Sequence, residues 1–179
     1  MLKRIYNSKL FLVFSIIIPI VILDHITKQL IHRNFKFHES MQIIPGFFNL
    51  TYVRNLGAAW GLFSDANDFY RIPFFWTISI LAIIGISVWL YLIPFTDKLK
   101  IFTLSLILSG AIGNFLDRTP LFHSGGYVID FLDFYITFGN KTYHWPAFNV
   151  ADSAISISIF LLLIVIYREE KEKKASLQK

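Results

Sequence analysis

Apolar residues run for membrane-spanning lengths four times along the chain, and the segments between them hold most of the polar chemistry. A stretch of about 18 or more apolar residues with few charges reads as a transmembrane helix, which predicts helices at about 10–31, 72–93, 99–118 and 150–167. The first run is interrupted only by Pro19 and, toward its far end, by Asp24, His25, Thr27, Lys28 and Gln29. A signal peptide has a shorter apolar core and a small-residue cleavage site, so a retained helix is expected. Ile72 to Ile93 carries no charge, and the last run reaches spanning length only if Asn149 to Ser153 belong to the same helix. Residues 37–63 lack helical periodicity. Pro45-Gly46 is a turn signal and Phe47 to Val53 is aromatic and β-branched, so a small β-structured segment is expected there. Gly57-Ala58-Ala59-Trp60-Gly61 then lets a backbone approach another element or a ligand closely. Residues 1–168 read as one domain and 169–179 as a solvated, charged tail that frays.

Composition makes the membrane assignment firm. Of 179 residues, 55% are hydrophobic and only 16% charged, against about 25% charged in soluble domains, and mean hydropathy is +0.55. The net charge of +5 comes from Lys3, Arg4, Lys9, Lys98, Lys100, Arg168, Lys171, Lys173, Lys174 and Lys179, which flank apolar runs. That is a positive-inside pattern and not a nucleic-acid surface, and it predicts cytoplasmic termini with 33–70 and 119–146 outside. Without cysteine there is no disulfide, thiolate zinc site or thiol nucleophile. His25, His32, His38, His123 and His144 have no metal-ligand spacing, and Ser124 lacks a Gly-x-Ser-x-Gly turn. No metal or cofactor is expected.

The acids beside apolar spans are what remains to explain, because a charge in a bilayer costs about 2.5–3.5 kcal/mol on insertion scales. Asp24 and Lys28, one turn apart, can neutralise each other. Asn114, Asp117 and Arg118 share one helix face, where a local Asp–Arg pair is the structural alternative. Asn149 suits a helix N-cap and Asp152 a first-turn acid. Asp130 follows Tyr127-Val128-Ile129 with no basic neighbour, and Asp133 is hard to separate from it on sequence logic. Two carboxylates sharing a site do not both ionise readily, so a pair such as Asp130 and Asp152 would hold one proton. The ionised member could activate water and the protonated one could donate to a carbonyl or amine, which is peptide hydrolysis without metal or covalent nucleophile. A small transporter or channel, or a non-catalytic assembly factor, would use the same polar residues differently.

Leu23-Asp24-His25-Ile26-Thr27-Lys28, Arg54-Asn55-Leu56-Gly57-Ala58-Ala59-Trp60, Gly110 to Arg118, Val128-Ile129-Asp130-Phe131 and Phe148 to Ile155, in this order, resemble lipoprotein signal peptidase, the bacterial signal peptidase II. His25 stands where that family often has Gln, and Trp60 where Phe is common. The resemblance implies a mainly α-helical membrane protein of four spans with a small β cradle between helices 1 and 2. It implies an aspartic endopeptidase of the bacterial cytoplasmic membrane that removes signal peptides from diacylglyceryl-modified prolipoproteins, cutting just before the lipidated cysteine. Asp130 and Asp152 are then the catalytic pair, which selects Asp130 over Asp133. Asn55, Asn114, Asp117, Arg118, Asn149 and Ala151 fall on its active-site motifs, and Asp24 and Lys28 on its first-helix motif. The expected partners are prolipoproteins and membrane lipids, with no nucleic acid, and the protein is expected to act as a monomer.

Overall fold

A computed structural model describes residues 2–58, 62–123 and 125–177, with side chains from Ser8 onward. Ala59, Trp60, Gly61, Ser124 and Lys179, and the side chains of Lys3 and Arg4, lie outside the described residues. The elements are α1 (Leu2–Asn34), β1 (Ser40–Ile44), β2 (Phe48–Asn55), α2 (Asp68–Leu92), α3 (Lys98–Arg118), β3 (Val128–Phe138), β4 (Lys141–His144) and α4 (Val150–Leu177). All four helices are long and apolar enough to cross a membrane.

Helix ends extend past the apolar runs because polar caps satisfy them. Asn67 Oδ1 accepts from the Phe69 N–H at 2.9 Å, which starts α2 before Ile72. Asp97 Oδ1 accepts from the Lys100 N–H at 3.2 Å and starts α3. The expectation of a frayed tail is corrected, since α4 continues to Leu177. Glu169 and Lys173, like Glu170 and Lys174, stand four residues apart with the acid first, the spacing that supports a solvated helix.

Helix α3 is the hub of the bundle, in contact with α1, α2 and α4. Val13, Ile17, Leu90, Ile101, Leu104 and Leu108 form its apolar core. Toward the other end α3 becomes small. A Cβ on Gly110 would lie 2.5 Å from the Ala151 carbonyl oxygen and 2.5 Å from Ile155 Cγ1. A Cβ on Gly113 would lie 2.6 Å from Asp24 Oδ2. Only glycine lets α1, α3 and α4 close to this distance, the packing logic of helices in lipid.

The outer segment does form strands, but the sheet is larger than expected. Its order is β1-β2-β3-β4, all antiparallel, so half of its strands come from between α3 and α4 and not from between helices 1 and 2. Asp130 therefore lies on a strand, β3. Pro45-Gly46 does turn the β1–β2 hairpin, with Gly46 at φ 76°. The sheet packs on α1 through Ile31, Tyr52, Tyr127, Ile129 and Phe131.

Candidate active site

The first turn of α4 is held from three directions. Asn149 precedes the helix, and its Oδ1 accepts from the Asp152 N–H at 2.9 Å, while Asp152 Oδ2 accepts from the Asn149 N–H at 3.2 Å. This reciprocal capping leaves the Asn149 amide group free for other partners. Asp24 Oδ1, from α1, accepts from the Ala151 N–H at 2.8 Å. Ala151 is wholly buried, and its small side chain is what allows α3 and α1 to come so near.

Asn149 Nδ2 donates to Asp130 Oδ1 at 2.7 Å, so the residue that caps the helix of Asp152 also grips Asp130. From β2, Asn55 Nδ2 donates to the other oxygen, Asp130 Oδ2, at 3.0 Å. From α3, Asn114 Nδ2 donates to Asp152 Oδ1 at 2.7 Å, and Asn114 Oδ1 accepts from Asn149 Nδ2 at 3.1 Å. Three amides from three elements thus fix both carboxylates.

Lys28 and its partners stand behind them. Lys28 Nζ, fully buried, is 2.7 Å from Asp24 Oδ2 and 3.1 Å from Asp117 Oδ2, and donates to Asn114 Oδ1 at 3.0 Å. Asp24 and Lys28 are therefore the expected structural pair, but enlarged by Asp117. A local Asp117–Arg118 pair is not what forms. Asp117 accepts from the Ile129 N–H at 3.0 Å, beside Asp130. Arg118 turns the other way and donates to the carbonyls of Gly57 at 2.5 Å and Gly126 at 3.3 Å.

Arg71, in the first turn of α2, is 2% exposed. Its Nη1 donates to the carbonyls of Leu56 at 2.6 Å and Gly126 at 3.2 Å. Two guanidiniums thus tie the chain after β2 to the chain before β3, the two strands that carry Asn55 and Asp130. Only its partners, distant in sequence, reveal this role.

Asp130 and Asp152 line one open groove of about 690 Å³ with Asn55, Asn114 and Arg118. Ile155 and Ser156 of α4 form one end and residues 145–148 another wall. Burial, and next the charge of Asp152, push the Asp130 carboxyl up to about 7, against the pull of the Asn55 and Asn149 amides and of Lys28. A carboxyl poised near neutrality beside a second carboxylate can both hold and exchange a proton. Among the described residues, no three His, Asp or Glu side chains gather as a metal site. The polar groups gather at one end of the bundle, where β3 meets α1, α3 and α4, and not at its middle.

The chain matches the family model described as signal peptidase (SPase) II over residues 16–168. It is 42% identical over 170 residues to a lipoprotein signal peptidase of Geobacter sulfurreducens, covering 95% of this chain and 96% of that one. It is 45% identical over 153 residues to a lipoprotein signal peptidase of Francisella tularensis subsp. tularensis, covering 84% and 88%. Among solved structures it resembles a bacterial membrane enzyme with a TM-score of 0.74 and 31% identity, covering 93% of this chain and 92% of the other.

Proposed function

The chain belongs to the signal peptidase II family, and we propose that it is an aspartic endopeptidase that cleaves signal peptides from diacylglyceryl-modified prolipoproteins just before the lipidated cysteine. The observation that carries the mechanism is the single groove lined by Asp130 and Asp152 and bridged by Asn149.

The pair holds one proton near neutral pH, consistent with the burial that pushes the Asp130 carboxyl up. A water between the two carboxyls gives its proton to the ionised member as its oxygen attacks the scissile carbonyl carbon. The protonated member gives its proton to the carbonyl oxygen. In the tetrahedral species the carbon–nitrogen bond then breaks as the newly formed acid protonates the departing amine, while the other carboxylate takes back a hydroxyl proton as the carbonyl re-forms, and the original proton distribution returns. Asn55, Asn114 and Asn149 fix which carboxylate oxygen faces the substrate. Arg118 is a positioning residue for the chain after Asn55. Asp117, Lys28, Asp24 and Ala151 hold the elements on which the pair stands.

The protein spans the bacterial inner membrane. The basic flanks support cytoplasmic termini and a groove toward the outer face, and in this reading it works as a single chain. A groove flanked by α4 suits a substrate with two acyl chains, which stay in lipid while the scissile bond enters the polar site.

The test is cleavage of a diacylglyceryl-modified prolipoprotein by purified protein in lipid. Asp130→Asn and Asp152→Asn should each lower turnover by about 10²–10⁴-fold while the protein stays folded. Full turnover by either variant sinks the paired-carboxylate mechanism.

A further inference from the structure

Asp133, three residues beyond Asp130, has a site of its own. Its Oδ2 accepts from Thr51 Oγ1 at 2.9 Å and from Asn49 Nδ2 at 3.3 Å, and its Oδ1 lies 2.7 Å from His144 Nδ1. Asp133 is 7% exposed, whereas the His144 side chain is 50% exposed. The His144 ring stacks on Tyr135 with centroids 5.2 Å apart, and the Tyr135 hydroxyl accepts from Gln42 Nε2 at 2.7 Å and the Gly46 N–H at 2.9 Å. Asp133, His144, Thr51 and Asn49 help to line an open pocket of about 440 Å³. It shares Val53 and residues 145–147 with the groove of Asp130 and Asp152, and none of its contacts serves the mechanism above.

We propose that this outer pocket receives the first residues after the cleaved bond, and that Asp133 makes it favour cationic over acidic side chains there. The inference rests on the peptidase reading. Ile155 and Ser156, one turn into α4, mark the end of the groove that faces the membrane-spanning part of the molecule. A substrate whose signal segment and acyl chains lie at that end, with its scissile bond at the acids, has its departing segment at the opposite end. That end passes Val53 and residues 145–147 into the Asp133 pocket. Thr51 and Asn49 donate to the Asp133 carboxylate, and the His144 ring beside it is half in solvent. A fixed negative charge at that depth attracts a lysine and repels an aspartate.

The experiment uses lipidated prolipoproteins identical except for Lys, Ser or Asp at the second residue after the cut. The wild type should show a kcat/KM about fivefold higher for Lys than for Asp, carried by KM. Asp133→Asn should bring that ratio within about twofold. Ser40→Lys, at an exposed position on the pocket wall, should lower the ratio in the same direction, and it decides the matter if Asp133→Asn does not fold. Equal cleavage of the three substrates by the wild type overturns the inference. So does a ratio unchanged in the variants, even if Asp133→Asn slows all substrates alike, since that is a purely structural role. If the wild type cleaves none of them, the peptidase reading fails first and takes this one with it.

Discussion

Asn149 donates to Asp130 from its side chain at 2.7 Å while its backbone N–H reaches Asp152 at 3.2 Å. One residue therefore sets the spacing of the two acids, and the same residue begins the helix on which one of them stands. Asn149→Ala should lose both functions. A lost cap costs about 1 kcal/mol, which a thermal melt in detergent would read. Cleavage should fall far more than that stability loss explains, because Asp130 would lose an amide and Asp152 its fixed place. Asn149→Ser, which can still cap, should restore the melting temperature but not the rate.

The pH dependence follows from Asp130. Its carboxyl, ordinarily at 3.8, is held at about 7 in the fold. Between those values the unfolded chain has released a proton that the folded chain keeps, so stability should fall as pH rises from about 4 to about 7, by at most about 1.4 kcal/mol per pH unit. Asp130→Asn should flatten that slope. The rate should fall on the alkaline side as the proton of the pair is lost. Asn55→Ala removes a donor that favours the ionised form, and should move that alkaline limb to higher pH. A limb that stays in place or moves down would contradict this assignment.

Lys28 holds two buried acids apart and together at once. Lys28→Met would leave Asp24 and Asp117 facing each other without a cation, and breaking a buried pair in this way costs about 3–5 kcal/mol. Loss of folded protein on size exclusion is the expected result. Asp24→Asn should be milder than Asp24→Ala, since its amide oxygen can still accept from the Ala151 N–H.

Gly113→Ala would place a methyl group 2.6 Å from Asp24 Oδ2 and 3.1 Å from Ala151 Cβ. Overpacking of this kind costs about 1–3 kcal/mol, and here it pushes on the carboxylate that holds Lys28, so activity should drop with stability. Gly85 on α2 is the control. A Cβ there meets nothing within 4 Å, and Gly85→Ala should be neutral or stabilise by up to about 1 kcal/mol, measured in the same melt.

The spans were legible because lipid demands long apolar helices; sequence places the ends of α2 and α3 within four residues, whereas α1 begins eight residues before its apolar run and α4 ends ten residues after its own. The helix starts at Asp68 and the run of α4 to Leu177 were harder to see, since they depend on Asn67 and on solvated Glu–Lys spacing more than on hydropathy. The strand carrying Asp130 was not legible. Val128 to Tyr135 mixes acids with apolar residues, and the strand's partner amide, Asn55, is 75 residues away. Pairing at that distance leaves no local signature. Residue logic left Asp130 and Asp133 equivalent, and resemblance chose between them. The structure separates them by place, one in the groove with Asp152 and one in the pocket with His144. Arg71 hid for the same reason as β3, because a guanidinium ahead of an apolar run looks like a surface anchor until its carbonyl partners are known.

The β2–β3 ladder joins segments that are made before and after two complete membrane helices. A chain emerging from the ribosome therefore holds Asn55 long before Asp130 exists, and Asp130 before the helix with Asp152 has been made. On the proposed mechanism, proteolytic chemistry is the last property this molecule acquires, and every step of its own insertion takes place without an assembled blade.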